Sequence, residues 1–388
     1  MTEAIATPQL FTGDRVVENA VLAWEGGLVS YAGPAAGFRG DAEPVPGGVV
    51  PGFVDCHTHL PFFGWRADEF EARLAGRSYR DVHGEGGGIA RSARMLAAAS
   101  DDEVLEFCRP LAVEMLTHGT TALELKTGYG LSVEAELRQA RLARRLASEI
   151  EQTCTVTLLA CHAVPEGMER PDWVEAVCGE LIPAAAAEGL ADAVDVYVED
   201  IAFTIDDLEA VAAAAGSRGL PLRVHADQLG PSGAAEAACR LGAHSADHLN
   251  HVSAEGVRTL GASPTIAVLL PASTFMLRAD PPPARALIEA GASIALATDF
   301  NPGTSPVLSM PEAIAIACSL YRLEPIEALR AATATAARVL GLDGRLGTLE
   351  SGKRADFVIL DSTDPAFIPY RPGHNPLRTV HLNGRQVA

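Results

Sequence analysis

Short apolar runs alternate with longer, alanine-rich amphipathic segments through most of this chain. The runs that read as strands are GVVPGFVDC (48–56), TTALELK (120–126), TVTLLAC (155–161), AVDVYVE (193–199), LPLRVHA (220–226), AHSADHL (243–249), TIAVLLP (265–271) and SIALATD (293–299). Between them, segments such as DDEVLEFCRPLAVEMLTHG (101–119), SVEAELRQARLARRLASEI (132–150) and PPPARALIEAG (281–291) carry the helical pattern. Strands alternating with helices predict parallel pairing through right-handed crossovers. Eight such units predict a (β/α)₈ barrel over residues 51–345. A doubly wound sheet is the main competitor, but no GxGxxG or P-loop follows any strand.

The two ends do not follow the alternation. VVENAVLAWEGGLVSYAG holds two short strands joined at Glu25-Gly26-Gly27, a hairpin signal, and LGTLESGKRADFVILD and TVHLNGRQVA share that β-and-turn character. The expectation is a small β-sandwich domain built from both termini, residues 1–50 and 346–388, beside the barrel.

Composition narrows the function classes. Of 388 residues, 48% are hydrophobic and 21% charged, enough to bury a sizeable core. A net charge of −20 argues against nucleic acid and against an anionic membrane as partners. The N-terminus shows no signal-peptide pattern, and no apolar stretch approaches the ~20 residues that span a bilayer. Seven scattered cysteines with no CxxC fit reduced thiols, so the expected location is cytoplasmic.

Barrel enzymes place their chemistry at the C-terminal ends of the strands. Strand 1 ends there in Asp55-Cys56-His57-Thr58-His59, strand 3 in Cys161-His162 and strand 5 in His225-Ala226-Asp227-Gln228. Strand 6 delivers Asp247-His248, and strand 8 ends at Thr298-Asp299. Residues i and i+2 of an extended strand share a side, so His57 and His59 can face one ion. His225 and Asp299 converge from elsewhere on the ring, giving three imidazoles and a carboxylate with room for water, as in a catalytic site. Lys126 reads more plainly as an ion-pairing lysine near Glu124.

PGFVDCHTHL with the strand-8 aspartate resembles the amidohydrolase superfamily. The segments PGFVDCHTHLPFFGWRADEFEARLAG, ELKTGYGL, HAVP, ADAVDVYVEDIAF, HADQL, SADHL, TIAVLLPASTF, ALATDFNPGTSP and GRLGTLESGKRADFVILD resemble the imidazolonepropionase family within it, in order, from residue 51 to 361. The resemblance implies that His57, His59, His225 and Asp299 hold one divalent ion, zinc or iron. Two-metal relatives use a strand-4 lysine, which this chain lacks. A bound ion lowers the pKa of its water toward ~7. Asp299 would then move the proton to the leaving ring nitrogen, with His248 paired to it and His162 polarising the ring carbonyl. The implied reaction opens 4-imidazolone-5-propanoate to N-formimidoyl-L-glutamate. Arg66, Tyr129, His162, Gln228, Asn301, Gly303 and Thr304 stand where the family contacts its substrate, and Arg66 suits the carboxylate tail. The family also implies a homodimer.

The chain departs from the family at Trp65, which would narrow the pocket near the tail, and at Thr127. SYRDVHGEGGGI adds His83 and Glu85 to a segment, 78–90, that its glycines suit to a lid. Two other readings remain: a mononuclear-metal deaminase or a cyclic-amide hydrolase of a related heterocycle, and a non-catalytic binding protein. The deaminases carry a glutamate where this chain has Gln228, an amide that cannot shuttle a proton through an ionised state. A dead scaffold would lack ligands, and all four are present.

Overall fold

The computed structural model describes every residue except Met1, Tyr79, Arg80, Val82, His83 and Glu85. The N-terminal strands are β1 (Glu3–Phe11), β2 (Val16–Glu25), β3 (Leu28–Pro34), β4 (Glu43–Pro44) and β5 (Val49–Pro51). Gly26 and Gly27 join β2 to β3 with φ of +60° and +81°, the two left-handed positions that a tight hairpin requires. Eight strands follow: β6 (Phe53–Asp55), β7 (Thr120–Lys126), β8 (Thr153–Cys161), β9 (Ala193–Val198), β10 (Leu222–Ala226), β11 (Ser245–His248), β12 (Ile266–Leu269) and β13 (Ile294–Leu296). They pair in chain order and in parallel. β14 (Phe357–Leu360), β15 (Leu377–Leu382) and β16 (Arg385–Gln386) return to the first sheet, where β14 lies antiparallel to β5.

The terminal strands make one mixed sheet that folds over on itself. On a flat sheet Trp24 of β2 and Phe357 of β14 would stand three strands apart, roughly 14 Å at normal spacing. Their ring centroids are 5.1 Å apart. The curl encloses Leu10, Leu22, Val49, Leu349 and Ile359 in a small core, so the expected sandwich has both faces cut from a single sheet.

The apolar run at 48–56, expected as one strand, is two. β5 belongs to the terminal sheet and β6 to the barrel, and the chain changes sheets at Gly52. A Cβ there would lie 2.3 Å from Thr121 Cγ2 and Oγ1, so only glycine lets the backbone pass. The run is apolar on both sides of the break, which hides it from any periodicity argument.

β13 and β6 close the ring through side chains and a single bridge. Asp55 accepts hydrogen bonds from Thr298 N (3.1 Å) and Thr298 Oγ1 (2.5 Å). Thr58 bridges to Phe300, and His59 N donates to Phe300 O at 2.9 Å. The helices between strands begin on local signals: Ser100 and Glu103 form a capping box for Asp101–Thr117, and Ser132 caps Val133–Glu149. The expected lid over 78–90 lies partly outside the described residues, His83 and Glu85 included; Gly88–Ala98 is a helix. No described helix is long and apolar enough to cross a membrane.

Inside the ring the strands alternate. Leu123, Leu125, Val156, Leu158, Val194, Val196 and Val224 face the helices and are buried there. Glu124, Lys126, Thr157, Asp195, Arg223, His225 and Asp247 occupy the other face and are equally buried. Glu124 on β7 bonds Arg223 on β10, three strands round, a contact possible only through the lumen. Barrel lumens are usually filled by branched apolar residues. This one buries charge beside apolar residues such as Ala122, Val268 and Ala295.

Substituting Gly52→Ala should destabilise the protein by about 1–3 kcal/mol, the usual cost of forcing a methyl into a packed site. Urea unfolding of the variant against the parent measures it; an unchanged midpoint would mean that β5 and β6 can separate at this point.

Candidate metal centre

His57 and His59 follow β6 and turn into the C-terminal mouth of the barrel. His57 Nδ1 donates to Asp247 Oδ2 at 2.6 Å, leaving its Nε2 buried without a hydrogen-bond partner. That Nε2 lies 3.6 Å from Asp299 Oδ1, and His59 Nε2 lies 3.2 Å from the same oxygen. His225 Nδ1 stands 3.0 Å from Asp195 Oδ2, off the axis of a good hydrogen bond, and its Nε2 has no partner. Donor atoms of His57, His59 and His225 all fall within 4.8 Å of one another, as do those of His57, His248 and Asp299. The backbone is strained to make this mouth: His248 and Asp299 take φ of +77° and +56°, unusual outside glycine.

The donor set fits a divalent cation. Burial pushes the pKa of His57 and His59 below the ordinary histidine value, so their rings are neutral and carry lone pairs. Burial would raise Asp299, but His59 and His248 outweigh it and hold the carboxyl below its usual range. Around these groups the lumen and its mouth bury five carboxylates, Asp55, Glu124, Asp195, Asp247 and Asp299, against Lys126 and Arg223. Burial pushes Asp55 up to about 7 and also raises Asp247. Surplus buried negative charge facing unpaired imidazole nitrogens is the environment a cation relieves.

A cavity opens above the cluster. His59, His225, His248 and Asp299 form its floor, and Arg66, Tyr129, His162, Gln228, Asn301 and Thr304 line it. Ile89 and Tyr197 line it as well. Arg66 is 3% exposed, and its Nε and Nη1 have no hydrogen-bond partner; Glu69 Oε2 lies 3.7 Å from Nη1. Gly303 stands behind Arg66. A Cβ at Gly303 would lie 1.8 Å from Arg66 Nη2, and its amide already donates to Asn301 Oδ1 at 2.9 Å. Asn301 Oδ1 also accepts from Thr304 N (2.8 Å), and Asn301 Nδ2 donates to Asp299 O at 2.7 Å. The Asn301–Thr304 turn therefore orders the loop that carries Asp299 and backs the guanidinium.

Three expectations change in detail. His162 Nδ1 donates to Gly128 O at 3.1 Å, and burial holds the ring well below the ordinary histidine pKa. Its Nε2 is then an acceptor, so His162 suits a ring N–H of a ligand and cannot donate to a carbonyl. His248 approaches Asp299 within 4.8 Å, but no hydrogen bond joins them. Trp65, 41% exposed, packs on Phe62, Phe107 and Phe300 and does not line the cavity.

Two supporting residues escaped the strand-end search, Asp195 inside a strand and Glu136 on a neighbouring helix, and Asp247 was found there without its role. Asp195 and Asp247 occupy lumen positions of β9 and β11, and the polar–apolar alternation in AVDVYV and SADH is the signal that marks them. Lys126 does meet Glu124, at 2.9 Å, and also Asp195, at 2.7 Å. Glu136, from the following helix, accepts amide hydrogen bonds from Gly128, Gly130 and Leu131 and so fixes the loop that presents Tyr129.

Comparison with known proteins places these features in a wider set. Residues 49–387 match the amidohydrolase family. Imidazolonepropionase of Paracidovorax citrulli is 42% identical over 100% of this chain and 95% of its own length. That of Rubrobacter xylanophilus is 44% identical over 95% of this chain and 91% of its own. Among solved structures, a zinc-bound adenosine deaminase from Xanthomonas campestris superposes with a TM-score of 0.75 at 21% identity, covering 99% of this chain and 92% of its own, a likeness of fold.

Stripping the protein with a chelator should lower its melting temperature by several degrees, and re-adding zinc should restore it. A ligand at a thousand times its Kd stabilises by about 4 kcal/mol. A melting curve indifferent to chelator and to added metal would show that the cluster binds no ion.

Proposed function

Because this chain belongs to the amidohydrolase family and, within it, to the imidazolonepropionases, we propose that it opens the ring of 4-imidazolone-5-propanoate to give N-formimidoyl-L-glutamate in histidine degradation. It is a metal-dependent hydrolase with a small-molecule substrate. The observation that carries the substrate reading is the placing of Arg66: a buried, partly unpaired guanidinium on the wall of the cavity whose floor is the histidine–aspartate cluster. That arrangement suits a small ring with a carboxylate tail.

His57, His59, His225 and Asp299 would hold one ion, zinc or iron. When bound, the ion would supply a Lewis acid for the ring carbonyl and a water acidic enough to serve as hydroxide near neutral pH. Arg66 takes the carboxylate, and His162, stacked on His59, holds the ring together with Tyr129 tilted against both. His162 Nε2, an acceptor, takes a ring N–H and so fixes which face of the ring meets the floor. Asp299, ionised and buried, accepts the proton of the attacking water and passes it to the ring nitrogen as the C–N bond breaks. Asn301 and Asp247 keep Asp299 and His57 in place for that transfer. Gln228 lines the cavity, and as an amide it disfavours deamination, which needs a proton shuttle there. The proposal extends to a homodimer and to a cytoplasmic location, the latter consistent with seven free cysteines among the described residues.

The direct test mixes metal-loaded protein with freshly generated imidazolone propanoate and follows the loss of its ultraviolet absorbance. Turnover should vanish with Asp299→Ala. With Arg66→Ala, kcat/KM should fall about 10- to 100-fold, mostly in KM, the cost of roughly 1.5–3 kcal/mol for a lost charge-assisted hydrogen bond. Gly303→Ala, which pushes on the guanidinium without removing it, should raise KM in the same direction. No turnover by protein carrying a full equivalent of metal would overturn the substrate assignment.

A further inference from the structure

Lys126, the last residue of β7, is wholly buried, and its backbone N donates to Thr58 O at 3.0 Å, between two of the candidate ligands. Its Nζ donates to Asp195 Oδ2 at 2.7 Å and stands 2.9 Å from Glu124 Oε2. Glu124 is held from its other side by Arg223 and Thr157, and Arg223 Nη2 donates to Val339 O at 3.2 Å. Charges of alternating sign thus run from Arg223 through Glu124 and Lys126 to Asp195.

The last of them meets a candidate metal ligand. Asp195 Oδ2, the oxygen that Lys126 binds, is also the oxygen 3.0 Å from His225 Nδ1. Asp195 Oδ1 has no partner, so the ammonium is the one hydrogen-bond anchor of this carboxylate among the described residues. A histidine that offers Nδ1–H to a carboxylate carries its lone pair on Nε2. Neither ring nitrogen of His225 has a well-aligned hydrogen bond, and the 3.0 Å approach of Nδ1 to Asp195 is the contact that leaves Nε2 for an ion. His57 needs no such aid, because Asp247 grips its Nδ1 directly at 2.6 Å.

We propose that Lys126 is a positioning residue of the metal centre: it pins Asp195 and thereby holds the His225 ring with Nε2 toward the ion. The inference rests on the one-ion reading above. Lys126 touches neither ion nor substrate, and it acts through two other side chains.

The test is a zinc titration of metal-stripped protein against a competing chelator, on the parent and on Lys126→Met, with circular dichroism to verify folding. Lys126→Met should bind zinc about 10- to 100-fold more weakly, the range for loss of a group that orients a ligand. In the metal-free protein, ¹⁵N resonances of the His225 ring should show one tautomer in the parent and a mixture in the variant. If Lys126→Met does not fold, Asp195→Asn, which keeps the shape, should show the same weakening. A folded variant that binds zinc as tightly as the parent, with an unchanged tautomer, overturns the proposal and leaves the metal reading intact. A parent that binds no zinc and no iron overturns the metal reading itself.

Discussion

Charge buried in the lumen is the constraint on which the candidate metal site depends. An unpaired carboxylate in a protein interior is costly, and removing one partner of a buried pair typically costs about 3–5 kcal/mol. The barrel places carboxylates on five of its strands or their ends and supplies Lys126 and Arg223 from two. Lys126 meets Glu124 at 2.9 Å and Asp195 at 2.7 Å, Arg223 meets Glu124, and Asp55 and Asp247 are held by Thr298 and His57. These contacts tie the registers of β7, β9 and β10 to one another, since a slip of one residue would turn their charges into the helices. The histidines at the mouth inherit that order. Their supporting carboxylates are strand residues, fixed by the ladder, and so the donor nitrogens do not depend on flexible loops.

The substrate side is built differently. Several walls of the cavity come from loops, each tied by a side chain: Glu136 for the Tyr129 loop, Asn301 for its own turn behind Arg66, Glu199 for the amides of Gln228 and Leu229. A metal hydrolase can therefore keep its floor and vary its walls.

Much of this was legible in the sequence, for definable reasons. All eight barrel strands announce themselves as β-rich runs between helical segments, and the Glu25-Gly26-Gly27 hairpin turns where its glycines allow. The donor residues were visible because strand ends are where such barrels keep their chemistry. What lay hidden had no local signature. The sheet change at Gly52 sits in an unbroken apolar run, and the tautomer of His162 depends on the Gly128 carbonyl, which only the fold brings near. Asp195 was hidden in a different way: its alternation is present in the letters, but a charge inside a strand reads first as a solvent-facing position.

The terminal sheet has a consequence for the life of the chain before it works. β5 pairs with β14, so the opening strands are completed by residues that leave the ribosome some three hundred positions later. Throughout synthesis the edge of β5 and the face of Trp24 await a partner that does not yet exist. A polypeptide released before Phe357 would contain every candidate ligand of the metal centre and still display that raw edge, the kind of surface that quality-control proteases and chaperones engage. The fold thus makes full-length translation a condition of its own concealment from the cell's surveillance.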